Sequence, residues 1–80
     1  MAKLNVITVR YFASLRERLG RSEDQVEADG LCCVADVWDR VSAGPLPINT
    51  LVAINQEYAS PGSVVRAGDE VAFFPPVTGG

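Results

Sequence analysis

The chain has 80 residues, 48% of them apolar, with seven basic and ten acidic side chains and a formal net charge of −3. That length makes one small domain, and the apolar share supplies one core and argues against disorder. Without a basic run, an apolar stretch near ~18 residues or a secretory leader pattern, neither nucleic acid nor a membrane is an expected partner, and a soluble cytoplasmic protein is expected.

Leu4 to Phe12 reads as a strand, because Ile7, Val9 and Tyr11 alternate with Thr8 and Arg10. Parity puts Phe12 on the opposite face from Tyr11. Ser14-Leu15-Arg16-Glu17 has the form of a capping box. It predicts a short helix to about Leu19, stopped by Gly20. Gln25-Val26-Glu27-Ala28 alternates again and predicts a short second strand.

Cys32 and Cys33 are the only cysteines. Adjacent Cα atoms lie about 3.8 Å apart, below the disulfide range. Two thiols and no histidine supply neither an iron–sulfur cluster nor a zinc site, so no metal is expected. Both are read as small, partly buried residues where a helix begins. Such a position favours Ser, Thr or Asp. Asp36 compensates by sitting near the positive helix terminus.

Val34, Val37, Trp38 and Val41 recur at i, i+3, i+4 and i+7 and mark the buried face of the main helix. On that stripe Trp38 is expected in the core rather than as a ligand platform. Gly44-Pro45 ends the helix, and a loop runs on to Thr50. Leu51 to Asn55 reads as a third, central strand. Asn55-Gln56-Glu57 has turn character, and Tyr58 begins a short returning strand. Pro61-Gly62 and Gly68-Asp69 are turn pairs. Glu70 to Phe74 is the last strand, with Val71 and Phe73 on one face and Ala72 and Phe74 on the other. This order predicts an α+β domain over residues 1–74, a mixed sheet of about five strands over one main helix plus a short helix. The first and last strands are expected at the sheet centre.

Residues 75–80 form a distinct tail, Pro75-Pro76-Val77-Thr78-Gly79-Gly80. Each proline fixes its own φ, and Pro76 holds Pro75 extended. Glycine has no Cβ and fits narrow slots. Fully extended, six residues span roughly 20 Å. The tail is a thin, stiff probe that can enter another protein's pocket with a carboxylate at its tip. A second candidate site is an aromatic patch of Phe12, Tyr58 and Phe74, each expected to face away from the main helix and to contact a partner.

The closing segment Asp69-Glu70-Val71-Ala72-Phe73-Phe74-Pro75-Pro76-Val77-Thr78-Gly79-Gly80 resembles that of the small subunits of molybdopterin synthase. Tyr11-Phe12-Ala13, Leu15-Arg16-Glu17 and Val52-Ala53-Ile54-Asn55-Gln56 match the same family in the same order. The resemblance implies a ubiquitin-like β-grasp fold and a sulfur carrier. A ubiquitin-activating-like adenylyltransferase would use ATP to adenylate Gly80, and a sulfur donor enzyme would convert it to a thiocarboxylate. The large synthase subunit would then accept the tail, through Pro75, Pro76, Val77, Thr78 and Gly79, in a heterotetramer with two carriers. Sulfur would pass to cyclic pyranopterin monophosphate and form the dithiolene of molybdopterin. No stably bound cofactor and no independent activity are implied. The family also docks its large subunit through an apolar sheet surface. Cys32-Cys33 and the compact loop around Gly44-Pro45-Leu46-Pro47 depart from the family's usual pattern.

Other readings remain at this stage. A sulfur carrier for thiamine thiazole, or a ubiquitin-like protein modifier, shares fold and Gly-Gly but not typically the Phe-Phe-Pro-Pro-Val-Thr before it. A plain interaction module would tolerate loss of Gly80. A stand-alone redox or hydrolytic enzyme lacks a histidine base, and nothing in the sequence supplies an activating environment for Cys32 or Cys33.

Overall fold

Alternating apolar residues fold the chain into one mixed five-stranded sheet in the computed structural model, which describes residues 5–41, 44–46 and 49–76. In chain order the elements are β1 (Val6–Tyr11), α1 (Ala13–Leu19), β2 (Glu23–Glu27), α2 (Val34–Val41), β3 (Leu51–Ile54), β4 (Glu57–Ala59) and β5 (Glu70–Phe74). The strands lie in the order β2-β1-β5-β3-β4. β1 and β5 pair in parallel, and the other pairs are antiparallel. The first and last strands therefore sit side by side at the centre, as the sequence predicts, and β3 has a partner on each side.

One face of the sheet carries the core. Ile7, Val9, Tyr11, Val52, Val71 and Phe73 are buried there against Val34, Val37 and Trp38 of α2. The Phe73 ring meets Trp38 edge-on at 4.9 Å between centroids and lies nearly parallel to Tyr11 at 6.4 Å. The Trp38 indole N–H donates to the Gly44 carbonyl at 3.0 Å, so the ring is core and its one polar atom is satisfied.

α2 is closed at its start by long-range partners. The backbone N–H groups of Val34 and Ala35 donate to the carbonyls of Ser63 (3.0 Å) and Pro61 (2.9 Å). Asp36 Oδ2 accepts the backbone N–H groups of Cys32 (2.9 Å) and Cys33 (3.2 Å). These bonds hold the Asp36 carboxyl below the usual carboxylate range. Asp36 thus acts on the helix start by direct hydrogen bonds rather than by charge alone. Cys33 is half-buried as expected, but Cys32 is exposed; both are free thiols.

Three local expectations need correction. The capping box at Ser14 does not form: α1 starts at Ala13, its N-cap is Phe12, and no side chain caps it. Strand pairing overrides the local signal. The Phe12 N–H donates to the Phe73 carbonyl at 3.2 Å, which carries extended backbone one residue past Tyr11. The turn into the helix then falls on Ala13, at φ 54. Gly20 does end α1, at φ 75 with its N–H on the Arg16 carbonyl.

Second, β2 begins at Glu23 rather than Gln25. Asp24 points to the core side of the sheet, where its carboxylate accepts the Tyr11 hydroxyl at 3.0 Å and binds the Arg21 guanidinium. Arg21 lies 5.7 Å from the Tyr11 ring centroid and donates to the Val41 carbonyl at 2.6 Å. One arginine thereby ties the end of α2 to the β1–β2 edge. Burial, reinforced by the neighbouring Asp24, raises the Tyr11 phenol above its ordinary value.

Third, Glu57 belongs to β4, not to the turn. Asn55 and Gln56 alone make a two-residue hairpin turn, at φ 50 and φ 72. The Asn55 side chain accepts the Glu70 N–H at 3.0 Å and donates to Asp69 at 3.1 Å, locking the hairpin to the start of β5.

Candidate functional site at the end of the central strand

β5 is the strand that delivers the tail. It is paired on both sides, with Tyr11↔Phe73 toward β1 and Leu51↔Phe74 toward β3. Pro75 follows half-buried and Pro76 exposed. The tail therefore leaves from a strand paired on both sides, not from a frayed edge. Val77, Thr78, Gly79 and Gly80 lie outside the described residues.

The outer face of the sheet, opposite α2, places the three predicted aromatic residues at this exit. Phe12 is 43% exposed and Tyr58 78% exposed, while Phe74 is half-buried. Phe74 and Tyr58 touch, with ring centroids 6.0 Å apart and planes tilted by 46°. Phe12 follows the Tyr11↔Phe73 pair on β1, which sets it level with Phe74. Between these rings the sheet carries small side chains. Ala53 pairs with both Ala72 of β5 and Tyr58 of β4, so two methyl groups form a shallow floor beside the rings. Val64, also exposed, lies elsewhere, bridged to Cys33 near the start of α2.

The same face turns polar away from the exit. Arg10 pairs with Ala72 in register and reaches Glu70 at 2.9 Å and Glu23 at 3.5 Å. All three side chains are substantially exposed, so these pairs contribute little stability. Their effect is to fix charge: one cation between two carboxylates leaves the strip net acidic. This strip was not singled out from sequence. Its signal was outward parity, since Arg10 and Glu70 alternate with the buried Val9 and Val71. The alanine floor carries the same signal, small residues on the outward face of two central strands.

Among the described residues no group of three or more His, Cys, Asp or Glu side chains could hold a metal. No helix among them is long and apolar enough to cross a membrane. What the described residues bring to the exit is apolar contact, a short acidic strip and a diproline.

Comparison with known proteins agrees with this geometry. The molybdopterin synthase sulfur carrier subunits of Haemophilus influenzae and Escherichia coli are each 38% identical to the chain, over 94% of its length and 100% of theirs. The crystal structure of SAMP1 from Haloferax volcanii superposes with a TM-score of 0.74 at 35% identity, covering 94% of this chain and 99% of that one. The fold also recurs, at 16% identity and a TM-score of 0.64, in a complex of subunits 1 and 2 of molybdopterin-converting factor from Helicobacter pylori. Residues 9–80 match the ThiS family, so the chain, with its ubiquitin-like β-grasp fold, belongs to that family.

Proposed function

We propose that the chain is the sulfur carrier subunit of a molybdopterin synthase and that Gly80 bears the transferred sulfur. The observation that carries this reading is the match over the whole length of two molybdopterin synthase sulfur carrier subunits. The position of β5 supports it, because a doubly paired strand gives the tail a fixed base.

A terminal α-carboxyl has a pKa of about 3.3–3.7 and is a carboxylate at neutral pH. A carboxylate is a poor electrophile, so adenylation by an ATP-using, ubiquitin-activating-like enzyme supplies a leaving group. Sulfur delivered by the donor at the sulfide level then forms a C–S bond at the acyl carbon, the C–O bond to AMP breaks, and AMP leaves a thiocarboxylate behind. Gly79 and Gly80 put no side chain beside the reacting carbonyl. Pro75 and Pro76 reduce the ordering cost of inserting the tail into the large subunit. That subunit brings the cyclic pyranopterin monophosphate that receives the sulfur. Phe74, Phe12 and Tyr58 form the apolar contact with it, and Glu23 and Glu70 favour a basic rim on its side.

Intact mass after incubation with the adenylating enzyme, ATP and a sulfur source tests the reading. An exchange of one oxygen for sulfur at Gly80 is expected, and deletion of Gly80 should abolish it. Complementation of cofactor synthesis by a form amidated at Gly80 would overturn the proposal. A second reading, a ubiquitin-like protein modifier, draws on the 34% identity to small archaeal modifier protein 1 of Haloferax volcanii. It requires Gly80 in isopeptide bonds, visible as ladders on denaturing blots, where a sulfur carrier alone leaves none.

A further inference from the structure

We infer that Tyr58 is a positioning residue for the tail, acting through Phe74 inside the free chain rather than only as a partner contact. The inference rests on the carrier reading, but its first test does not. Phe74 is the last residue of β5 and the side chain immediately before Pro75. Its neighbour on β3, Leu51, and Phe12 on the β1 side flank it along the sheet. The rings of Phe74 and Tyr58 meet at 6.0 Å.

Tyr58 is an improbable place for an idle aromatic. It lies on a three-residue edge strand and is 78% exposed. Two features aim it at Phe74. The strand between them carries Ala53, a single methyl group, directly opposite Tyr58, with Leu51 two residues along opposite Phe74, so the tyrosine ring can lean over Ala53 toward Phe74. The hairpin that carries Tyr58 is also locked to the base of β5, through Asn55 to Asp69 and Glu70. The brace and the strand it braces are therefore tied together at the base of β5. A held Phe74 narrows the directions in which the stiff Pro75-Pro76 pair leaves the sheet. Because an acceptor's affinity falls in proportion to the fraction of carriers in the competent orientation, the brace acts on binding and not on the chemical step.

The test compares Tyr58→Ala and Tyr58→Phe in the full chain, both verified as folded by their unfolding transitions. NMR relaxation of the Phe74 ring and backbone in the free protein is the first readout. Tyr58→Ala should release Phe74, and Tyr58→Phe, which keeps the ring, should not. The second readout is adenylation by the activating enzyme. Tyr58→Ala should raise KM roughly two- to tenfold with kcat unchanged, the range that one aromatic pair can supply, and Tyr58→Phe should restore it. Unaltered Phe74 dynamics in Tyr58→Ala would overturn the inference, as would a Tyr58→Phe variant as defective as Tyr58→Ala. If the unaltered chain is never adenylated, the carrier reading fails instead, and the relaxation data still decide the brace.

Discussion

Phe73 and Phe74 are neighbours in one strand with opposite fates. Phe73 is fully buried between Tyr11 and Trp38. Phe74 lies on the outer face, half-buried and touching only an exposed tyrosine ring among the aromatic pairs of the described residues. The same alternation divides Val9 from Arg10 and Tyr11 from Phe12. Among the described residues, every buried side-chain polar atom has a partner. The outer face carries large apolar rings that the described residues leave largely or partly exposed. A small domain gains little by holding such rings in water, so their place at the tail exit points to use rather than to stability.

The sharpest way to break this contrast is to truncate each phenylalanine in turn. Phe73→Ala should cost about 3–5 kcal/mol, the usual loss for a buried aromatic ring. In a domain of this size that is a large share of the folding free energy. Phe74→Ala should cost about 1 kcal/mol or less, yet weaken complex formation with the large subunit proposed as its partner. Denaturant unfolding and a binding measurement on the same variants decide it. Equal losses of stability would mean that the two faces are not functionally distinct.

The next effect lies at the core's polar margin. Tyr11→Phe removes the hydroxyl that donates to Asp24 and should cost about 1 kcal/mol. Its pH dependence has a definite sign. The folded-state phenol pKa is raised, so this contribution is complete below the unfolded value of about 10 and is lost as pH rises through the folded value. The stability gap between the native chain and Tyr11→Phe should therefore narrow above about pH 10. A gap that widens with alkali would show that the phenol is not held protonated by the fold.

Much of this contrast was legible in the sequence because it depends on period alone. The α2 stripe, the parity of β1 and β5 and the outward placement of Phe12, Tyr58 and Phe74 follow from spacing, and the central pairing of the first and last strands from the order of the elements. What escaped was decided by contacts between distant segments. Ser14 carried a local capping signal, but the Phe12 N–H was already engaged by Phe73, so the helix began earlier. Asp24 hid the true start of β2, because an acidic residue on the core side makes sense only beside Tyr11 and Arg21. Of the residues whose carbonyls close the start of α2, Pro61 reads in the sequence merely as part of the Pro61-Gly62 turn, and Ser63 carries no signal. Parity alone puts Ala53 and Ala72 on the outward face, but that they lie opposite one another and form a floor is set by the strand register.

Asp36 offers a smaller perturbation, on the helix rather than the sheet. Its carboxyl pKa is lowered by the N–H groups of Cys32 and Cys33. Its contribution is therefore complete above the unfolded value of about 3.9 and is lost as pH falls through the folded value. Asp36→Asn keeps one acceptor oxygen but removes the charge. The two proteins should differ in stability at neutral pH and converge on acidification below about pH 4. Thermal unfolding across that range is the measurement. A difference that persists in acid would mean that the side-chain shape, not its charge, closes the helix.

The mildest change should sharpen the comparison without touching either face. Gln56 occupies the second position of the β3–β4 turn at φ 72, a backbone region that costs a residue with a Cβ about 1–2 kcal/mol. Asn55, at φ 50, tolerates this region better and is held by its bonds to Asp69 and Glu70. Gln56→Gly should therefore stabilise the domain by about 0.5–1 kcal/mol, part of the relief being offset by the greater freedom of glycine in the unfolded chain. No core contact changes, so the gain should appear in the unfolding midpoint with the denaturant slope unaltered. Because the turn carries Tyr58 toward Phe74, partner binding should hold or improve. A Gln56→Gly variant that is more stable but binds its partner less well would show that strain in the hairpin, rather than its rigidity, serves the outer face.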